Sequence, residues 1–151
     1  QVEDQQIGRV DGGGTQAGIE LGVRVLGLDI QIRGFTPLRV PGGRAPEQAR
    51  MANMAAELLG IDVSLDPTVI SNSDSQIGKG YAEVTRQGIE AIRLLAQSEG
   101  VFLEPVYTAK AFAALLQDVR TGTLTEQDAV AFIHTGGTPL IFAYAEELTA
   151  G

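Results

Sequence analysis

The sequence contains no cysteine and a single histidine. Without cysteine, disulfide bonds, thiolate nucleophiles and cysteine-ligated metals are excluded within this chain, and one histidine argues against a zinc site. We therefore expect no metal ion, and we expect any catalysis to use other side chains.

Positive charge and long apolar runs are also scarce. Eleven basic residues are scattered among nineteen acidic ones, and the net charge is −8. Binding to a nucleic-acid backbone needs clustered Lys and Arg, so we expect no nucleic-acid partner. No apolar run approaches the roughly 18 residues that span a bilayer, and the first residues, QVEDQQ, lack the basic and apolar regions of a signal peptide. We expect a soluble, cytoplasmic protein that does not enter a membrane.

Helix and strand patterns alternate along the 151 residues, a length typical of one domain. The predicted helices are 15–26, 47–60, 85–100 and Thr108–Arg120, and the predicted strands are 29–35, 61–65 and 129–134. This order predicts a single α/β domain, residues 1–151, with a mainly parallel sheet and flanking helices. Sites in such folds lie where strands end and helices begin.

Apolar side chains recur at helical spacing in the first and last of these helices. The stripe of the first consists of Ile19, Val23 and Leu26, and that of the last of Ala111, Phe112, Leu115, Leu116 and Val119. We expect these stripes to face the core. Thr108 is expected to cap the last helix.

The segment GGGTQAG, residues 12–18, is a glycine-rich loop that opens a predicted helix. Its backbone N–H groups and the helix dipole can bind a phosphate, although a tight strand-to-helix turn has the same composition. Gly12, Gly14 and Ala17 also fit the G-x-G-x-x-A dinucleotide fingerprint. That fingerprint expects an acidic residue at the end of the second strand, whereas Asp29 stands at its beginning, so the dinucleotide interpretation is weaker.

Two other segments place polar groups near helix starts. LEPVYTAKA, residues 103–111, contains Lys110, which is either a reactive amine, as a desolvated lysine can be, or one charge on a solvated helix face. HTGGTP, residues 134–139, is a second glycine turn, and a parallel sheet would bring it to the same edge as residues 12–18 and the Tyr107–Thr108 pair. We interpret His134 as a packed strand-end residue rather than a general base.

The segments GYAEVTRQGIEAIRLLAQSEGVFLEPVYTAKAFAAL and AFIHTGGTPLIFAY closely resemble the C-terminal part of the D-cysteine desulfhydrase and 1-aminocyclopropane-1-carboxylate deaminase family. The resemblance runs from about Gly12 to Tyr144. It implies a fold of the tryptophan synthase β-subunit type, of which this chain is a C-terminal portion of the large domain, and it implies pyridoxal 5'-phosphate as the cofactor.

The resemblance also implies which residues contact that cofactor. The positions matching the phosphate-binding loop are Gly12, Gly13, Gly14 and Thr15. The positions matching the pair beneath the pyridine nitrogen are Thr108 and Thr135.

Further roles follow from the same resemblance. Tyr81 and Tyr107 correspond to two active-site tyrosines that assist proton transfer or position the substrate carboxylate. Lys110 matches a family lysine that does not form the Schiff base, so structural or electrostatic support is its expected role.

Threonine at both pyridine positions resembles the desulfhydrases, because the deaminases typically carry glutamate and leucine there. A hydroxyl leaves the ring nitrogen largely neutral, which is a weaker electron sink than a pyridinium but suffices when a good leaving group such as sulfide departs. The resemblance therefore implies a lyase that converts D-cysteine to pyruvate, sulfide and ammonia by β-elimination. Ring opening by a deaminase is the alternative.

The family's Schiff-base lysine lies in an N-terminal half that nothing in these 151 residues resembles. We therefore expect this chain alone not to turn over a small amino-acid substrate, the missing half to supply the lysine, and the complete enzyme to be a homodimer. A non-catalytic α/β module that binds a phosphorylated ligand is a second alternative.

Overall fold

The computed structural model describes residues 13–149. They form two compact units: residues 13–33 with 42–71, and residues 34–41 with 72–149. The prediction of one domain concerns the whole chain and stays a prediction. Within residues 13–149, no helix combines the length and the apolar character needed to cross a membrane.

Helices dominate both units. Among the described residues they are α1 (Gly14–Val25), α2 (Ala45–Leu59), α3 (Arg86–Glu99), α4 (Thr108–Arg120), α5 (Leu140–Ala143) and α6 (Ala145–Thr149), with a 3-10 turn at Pro67–Val69. The four longer helices confirm the four predicted ones, with their ends shifted by two residues at most.

The ends of α2 and α3 follow from local chemistry. Gly60 ends α2 and Gly100 ends α3, both in the left-handed conformation with φ of 66° and 68° that glycine adopts without steric cost. At the start of α3, the Thr85 hydroxyl accepts a hydrogen bond from the Gly88 N–H at 3.1 Å, as its side chain predicts.

The predicted strands are mostly wrong. Of residues 29–35, only Gly34–Phe35 forms a strand, β1, which pairs in parallel with β2 (Asn72–Ser73). Gly34 lies opposite Asn72, and β2 falls between the predicted strand 61–65 and the predicted helix 85–100, where no strand was predicted. Residues 61–65 and 129–134 form neither strand nor helix.

The hydrogen-bond partners available to the backbone explain why residues 61–65 and 129–134 form no strand. The side-chain amide of Asn53 takes the place of a neighbouring strand at Leu65, because its Oδ1 accepts from the Leu65 N–H at 2.8 Å and its Nδ2 donates to the Leu65 carbonyl at 3.1 Å. Residues 129–134 are largely exposed and have no strand partner within residues 13–149. Phe132 nevertheless packs edge-on against Phe112 of α4, with ring centroids 5.2 Å apart.

Each unit has a core of its own. In the first unit α1 packs on α2, and the core consists of Ala17, Leu21, Ala52, Ala56 and Leu65. In the second unit α3 packs on α4, and the buried core residues are Ile92, Leu103 and Ala109. Alanine at these helix contacts allows the helix axes to approach closely.

The faces that are buried differ from the predicted apolar stripes. The buried residues of α1 are Gln16, Ala17, Glu20 and Leu21, and those of α4 are Thr108, Ala109, Lys110, Ala113 and Ala114. Leu26, at the end of the first predicted stripe, is 70% exposed, and Val119 of the second is also exposed. Both helices therefore bury polar side chains, which must find hydrogen-bond partners.

Candidate functional site

In the first unit, helix α1 begins without a capping side chain. Gly13 occupies the N-cap position, no side chain of the described residues caps the helix, and its first turn carries no acidic residue. Gly13 is buried, and a Cβ there would lie 3.3 Å from Cε of Met51. The first N–H groups of a helix have no partner inside the helix and carry partial positive charge, so this end suits an anion.

Three of the predicted phosphate contacts lie at this helix end. Gly13 precedes α1, and Gly14 and exposed Thr15 are its first two residues. Gly12 lies outside the described residues. Their role as phosphate ligands stays a prediction.

A buried polar network joins α1 to α2 beneath Gly13. Gln48 of α2 is fully buried, and its Nε2 donates to Oε1 of Gln16 at 2.8 Å. Gln16 in turn donates to the Ser71 carbonyl at 2.8 Å and to Oε1 of Glu20 at 3.3 Å. Oε1 of Gln48 has no hydrogen-bond partner among residues 13–149. Apolar periodicity missed this network because it ranks glutamine as an outward-facing residue.

In the second unit, a carboxylate of the chain itself binds the backbone N–H groups at the start of helix α4. Glu104 is fully buried, its Oε2 accepts from the Val106 N–H at 2.8 Å, and its Oε1 accepts from the N–H groups of Tyr107 at 2.9 Å and Thr108 at 2.6 Å. Tyr107 occupies the N-cap position. The prediction that Thr108 caps this helix is therefore wrong, because Glu104 supplies the acceptor.

Thr108 is held by the same carboxylate. Its Oγ1 accepts from the Glu104 N–H at 3.0 Å and lies 3.2 Å from Oε1 of Glu104, to which it donates. The Thr108 side chain is thus fixed at the start of α4 in a buried position. The sequence analysis missed Glu104, and an acidic residue just before a helix is the signal that could have found it.

The two predicted catalytic tyrosines are brought together. The hydroxyls of Tyr81 and Tyr107 are hydrogen-bonded, and their rings meet edge to face with centroids 6.1 Å apart. Tyr81 is 54% exposed, so the pair is open to solvent on one side. Paired phenols of this kind can hold and pass a proton.

Lys110 is neither solvated nor free. The residue is 2% exposed, and its Nζ donates to the Ile77 carbonyl at 2.8 Å and to the Gly80 carbonyl at 3.4 Å. Burial lowers the pKa of Lys110 below its ordinary value, while the nearby carboxylates of Glu83 and Glu104 partly oppose that shift.

The glycine turn at 134–139 lies against Glu104. A Cβ on Gly137, whose φ is 87°, would lie 2.8 Å from Cγ of Glu104, so only glycine fits this approach. The turn begins at His134 and carries Thr135, which is exposed. The second glycine turn and the Tyr107–Thr108 pair therefore both lie against Glu104, and the predicted convergence of these segments with residues 12–18 stays a prediction.

His134 fixes this turn through both ring nitrogens. Nδ1 accepts from the Gly136 N–H at 3.1 Å, so Nε2 carries the hydrogen and donates to the Phe102 carbonyl at 2.9 Å. Both nitrogens are bonded to backbone, which agrees with a packed residue rather than a general base.

Comparison with known proteins places the chain in a family. A family model described as pyridoxal-phosphate dependent enzyme matches residues 4–136. The chain belongs to the pyridoxal-phosphate dependent enzyme family. The cofactor that the resemblance implies is therefore the cofactor of the family.

Two similar relatives carry one of the two names that the sequence suggested. The chain is 38% identical over 132 residues to a D-cysteine desulfhydrase of Yersinia pestis (strain Pestoides F). The matched residues make up 87% of this chain and 39% of the relative. The chain is also 33% identical over 135 residues to a D-cysteine desulfhydrase of Klebsiella pneumoniae (strain 342). Here the matched residues make up 89% of this chain and 40% of the relative.

A solved structure supports the same assignment. A crystal structure described as an ACC deaminase homologue matches with a TM-score of 0.78 and 36% identity, over 90% of this chain and 40% of that chain. The resemblance and the α/β fold class of the family, with its parallel sheet and flanking helices, are confirmed. The chain spans about 40% of the length of these relatives.

Proposed function

We propose that this chain is part of a pyridoxal-phosphate-dependent lyase that acts on D-cysteine, and that it carries the phosphate-binding end and the tyrosine pair of the active site. The observation that carries the proposal is the hydrogen-bonded pair of Tyr81 and Tyr107 beside the fixed Thr108 side chain, in a chain 38% identical to a D-cysteine desulfhydrase. The rest of the enzyme supplies the remaining groups, and the complete enzyme is a homodimer.

The residues of the chain fit part of the cofactor. The start of α1 at Gly13, Gly14 and Thr15, which no side chain of residues 13–149 caps, offers backbone donors and a positive helix end to the phosphate. Neutral hydroxyls at Thr108 and Thr135 suit the pyridine nitrogen, with Thr108 fixed by Glu104. When bound, the cofactor draws electrons from the α-carbon of the amino acid and so loosens the α-proton and the β-substituent.

Neither lysine of the chain fits covalent attachment of the cofactor. The sequence holds two lysines, Lys79 and Lys110. The amine of Lys110 is buried and bound to two carbonyls, and Lys79 is exposed in the loop before Tyr81. We therefore place the attachment lysine in the part of the enzyme beyond this chain.

The tyrosine pair is the proton-handling device of the proposal. Each hydroxyl is the hydrogen-bond partner of the other, so when one gives up its proton, the phenolate that remains accepts a hydrogen bond from the second. The N–H of Tyr107, at the N-cap of α4, donates to the Glu104 carboxylate, which fixes the position of Tyr107. Tyr81 is exposed to solvent, so a substrate can reach it.

Reduction with borohydride in the presence of pyridoxal phosphate tests the lysine assignment. We expect no stoichiometric adduct at Lys110 in the 151-residue chain, and one adduct at a lysine outside this chain in a longer protein that includes it. The Lys79→Arg variant is the control, since it removes the exposed amine that reacts non-specifically. A stoichiometric adduct mapped to Lys110 contradicts the assignment.

A product assay on the longer protein tests the substrate. Sulfide and pyruvate are expected from D-cysteine. Release of a keto acid from 1-aminocyclopropane-1-carboxylate with no sulfide from D-cysteine overturns the choice in favour of deaminase activity.

The absence of a fitting lysine among the two present also supports a second candidate, a non-catalytic module that binds a phosphorylated ligand at the start of α1. Calorimetry with pyridoxal phosphate separates the two. Binding by the longer protein without sulfide, keto acid or a reducible adduct favours the module.

A further inference from the structure

Lys110 is a buried charged side chain to which the proposed function gives no part in the chemistry. It lies on α4 three residues after Tyr107, and its amine reaches the backbone of the loop that carries Tyr81. The two carbonyls it binds, those of Ile77 and Gly80, are three residues apart, and Tyr81 follows Gly80 directly.

The loop that contains these carbonyls and Tyr81 has a backbone that is costly to maintain. Gly78 has a φ of 74°, and Ala82, directly after Tyr81, has a φ of 62°, which is uncommon for a residue with a Cβ. Surrounding contacts must hold such a conformation. Lys110 supplies two of them from inside the unit, while Lys79, at the tip between the two carbonyls, is exposed.

We propose that Lys110 is a positioning residue for Tyr81: its ammonium group binds the Ile77 and Gly80 carbonyls and thereby holds the Tyr81 hydroxyl against that of Tyr107. The inference rests on the proposed function for its catalytic meaning, but the placement of the loop is a property of this chain alone. It explains a buried lysine that takes no part in covalent chemistry.

The chemistry of the amine suits this role. An ammonium group carries three donors and no acceptor, so one side chain can bind two carbonyls at once. Burial works against the charge, and the carboxylates of Glu83 and Glu104 offset part of that cost. A methionine side chain has a similar length but no donor, so Lys110→Met removes both hydrogen bonds at little change in volume.

Limited trypsin digestion measures the loop directly, since trypsin cleaves after Lys79, between the two anchored carbonyls. In Lys110→Met we expect cleavage after Lys79 to accelerate by about tenfold relative to cleavage after Arg120, at the exposed end of α4. The Arg120→Met variant is the matched control, because it removes one positive charge from the same helix. Since it lacks the reference site, its rate of cleavage after Lys79 is compared directly with that of the wild type and should be unchanged.

A spectroscopic signal follows the tyrosine pair. The chain has three tyrosines and no tryptophan, so its near-ultraviolet circular dichroism reports largely on tyrosine. Tyr107→Phe defines the signal that is lost when the pair is broken, and Lys110→Met should lose most of that same signal while the far-ultraviolet spectrum is retained.

Chemical rescue shows whether the amine is the cause. Because the chain has no cysteine, Lys110→Cys creates a single thiol, and aminoethylation of the unfolded chain followed by refolding restores a lysine-like amine. Protection of Lys79 and the tyrosine signal should return with the amine. If Lys110→Met does not fold, Lys110→Arg, which keeps charged donors, takes its place and should keep Lys79 protected.

For Lys110→Met, equal acceleration of cleavage at Lys79 and Arg120, or no acceleration at Lys79, overturns the inference. For Lys110→Cys, failure of aminoethylation to restore protection of Lys79 overturns it. For Lys110→Arg, a folded variant cleaved as fast at Lys79 as at Arg120 overturns it. None of these measurements uses the cofactor or a substrate. A failed activity assay therefore counts against the proposed function and leaves the role of Lys110 intact, and the reverse also holds.

Discussion

Helices α1 and α4 begin in opposite ways. Helix α4 starts on the buried carboxylate of Glu104, which accepts hydrogen bonds from three backbone N–H groups. Helix α1 starts at Gly13 with no side-chain cap from the described residues and no acidic residue in its first turn. Since every helix start presents the same unpaired donors, the difference lies in whether a side chain of the described residues supplies the anion.

The two helix starts suit different roles: one supports side chains of the site, and the other can bind an anion. A helix start that already holds a carboxylate is a rigid platform, and α4 uses it to fix Tyr107 and Thr108. A helix start without one is available to an external anion such as a phosphate. Four changes test this division, in order of expected effect.

Replacing Glu104 with methionine should be the most damaging change. It leaves buried N–H groups at the start of α4 without acceptors, which we expect to lower the free energy of unfolding by about 3 to 5 kcal/mol. Urea denaturation followed by circular dichroism measures the loss. Glu104→Gln keeps an acceptor and the shape of the side chain, so it should cost clearly less, and equal losses for the two variants would contradict the role given to the carboxylate.

Thr15→Asp places a carboxylate in the first turn of α1 and so makes it resemble α4. We expect the helix to gain about 0.5 kcal/mol from its dipole and the affinity of the chain for pyridoxal phosphate to fall about tenfold, because the new charge repels the phosphate. Calorimetry and urea denaturation measure both, with Thr15→Asn as the neutral control. Unchanged affinity in Thr15→Asp would place the phosphate elsewhere.

Gln48→Met tests whether all buried polar groups matter as much as Glu104. The variant loses one hydrogen bond to Gln16 but also removes an oxygen that has no partner among the described residues, so we expect a cost below about 1 kcal/mol. Urea denaturation of this variant beside Glu104→Met gives the comparison. A loss as large as that of Glu104→Met would mean that the glutamine network is as important as the carboxylate.

The smallest effect is expected at Asp66, which caps the 3-10 turn of the first unit by accepting from the Thr68 N–H at 2.8 Å. Hydrogen bonds from Thr68 lower the pKa of Asp66 below its ordinary value of 3.8. Its contribution to stability is therefore present above that value and is lost as the pH falls through the lower pKa of the folded state.

To test this, we compare the free energy of unfolding of the wild type with that of Asp66→Asn from about pH 6 down to about pH 2. The difference between the two should shrink toward the acid end, because the wild-type side chain becomes neutral there as well. A difference that persists at the lowest pH would show that charge is not the cause.

The four longer helices were predictable, and the buried faces were not. Glycine stops and a threonine cap are local signals, so α2 and α3 were found with nearly correct ends. The strands failed because pairing is a property of the neighbour: the backbone of Leu65 bonds to the Asn53 side chain, and residues 129–134 find no strand among the described residues.

The sequence by itself determined the family, the four main helices and the residue types of the candidate site, because motifs and helix signals are local in the chain. Only the tertiary structure decided which polar side chains are buried. Lys110 and Thr108 lie inside because the Ile77 carbonyl and Glu104 accept their hydrogens. Burial of a polar group depends on a partner that can be 33 residues away, as it is for Lys110, and periodicity along one helix carries no information about that partner.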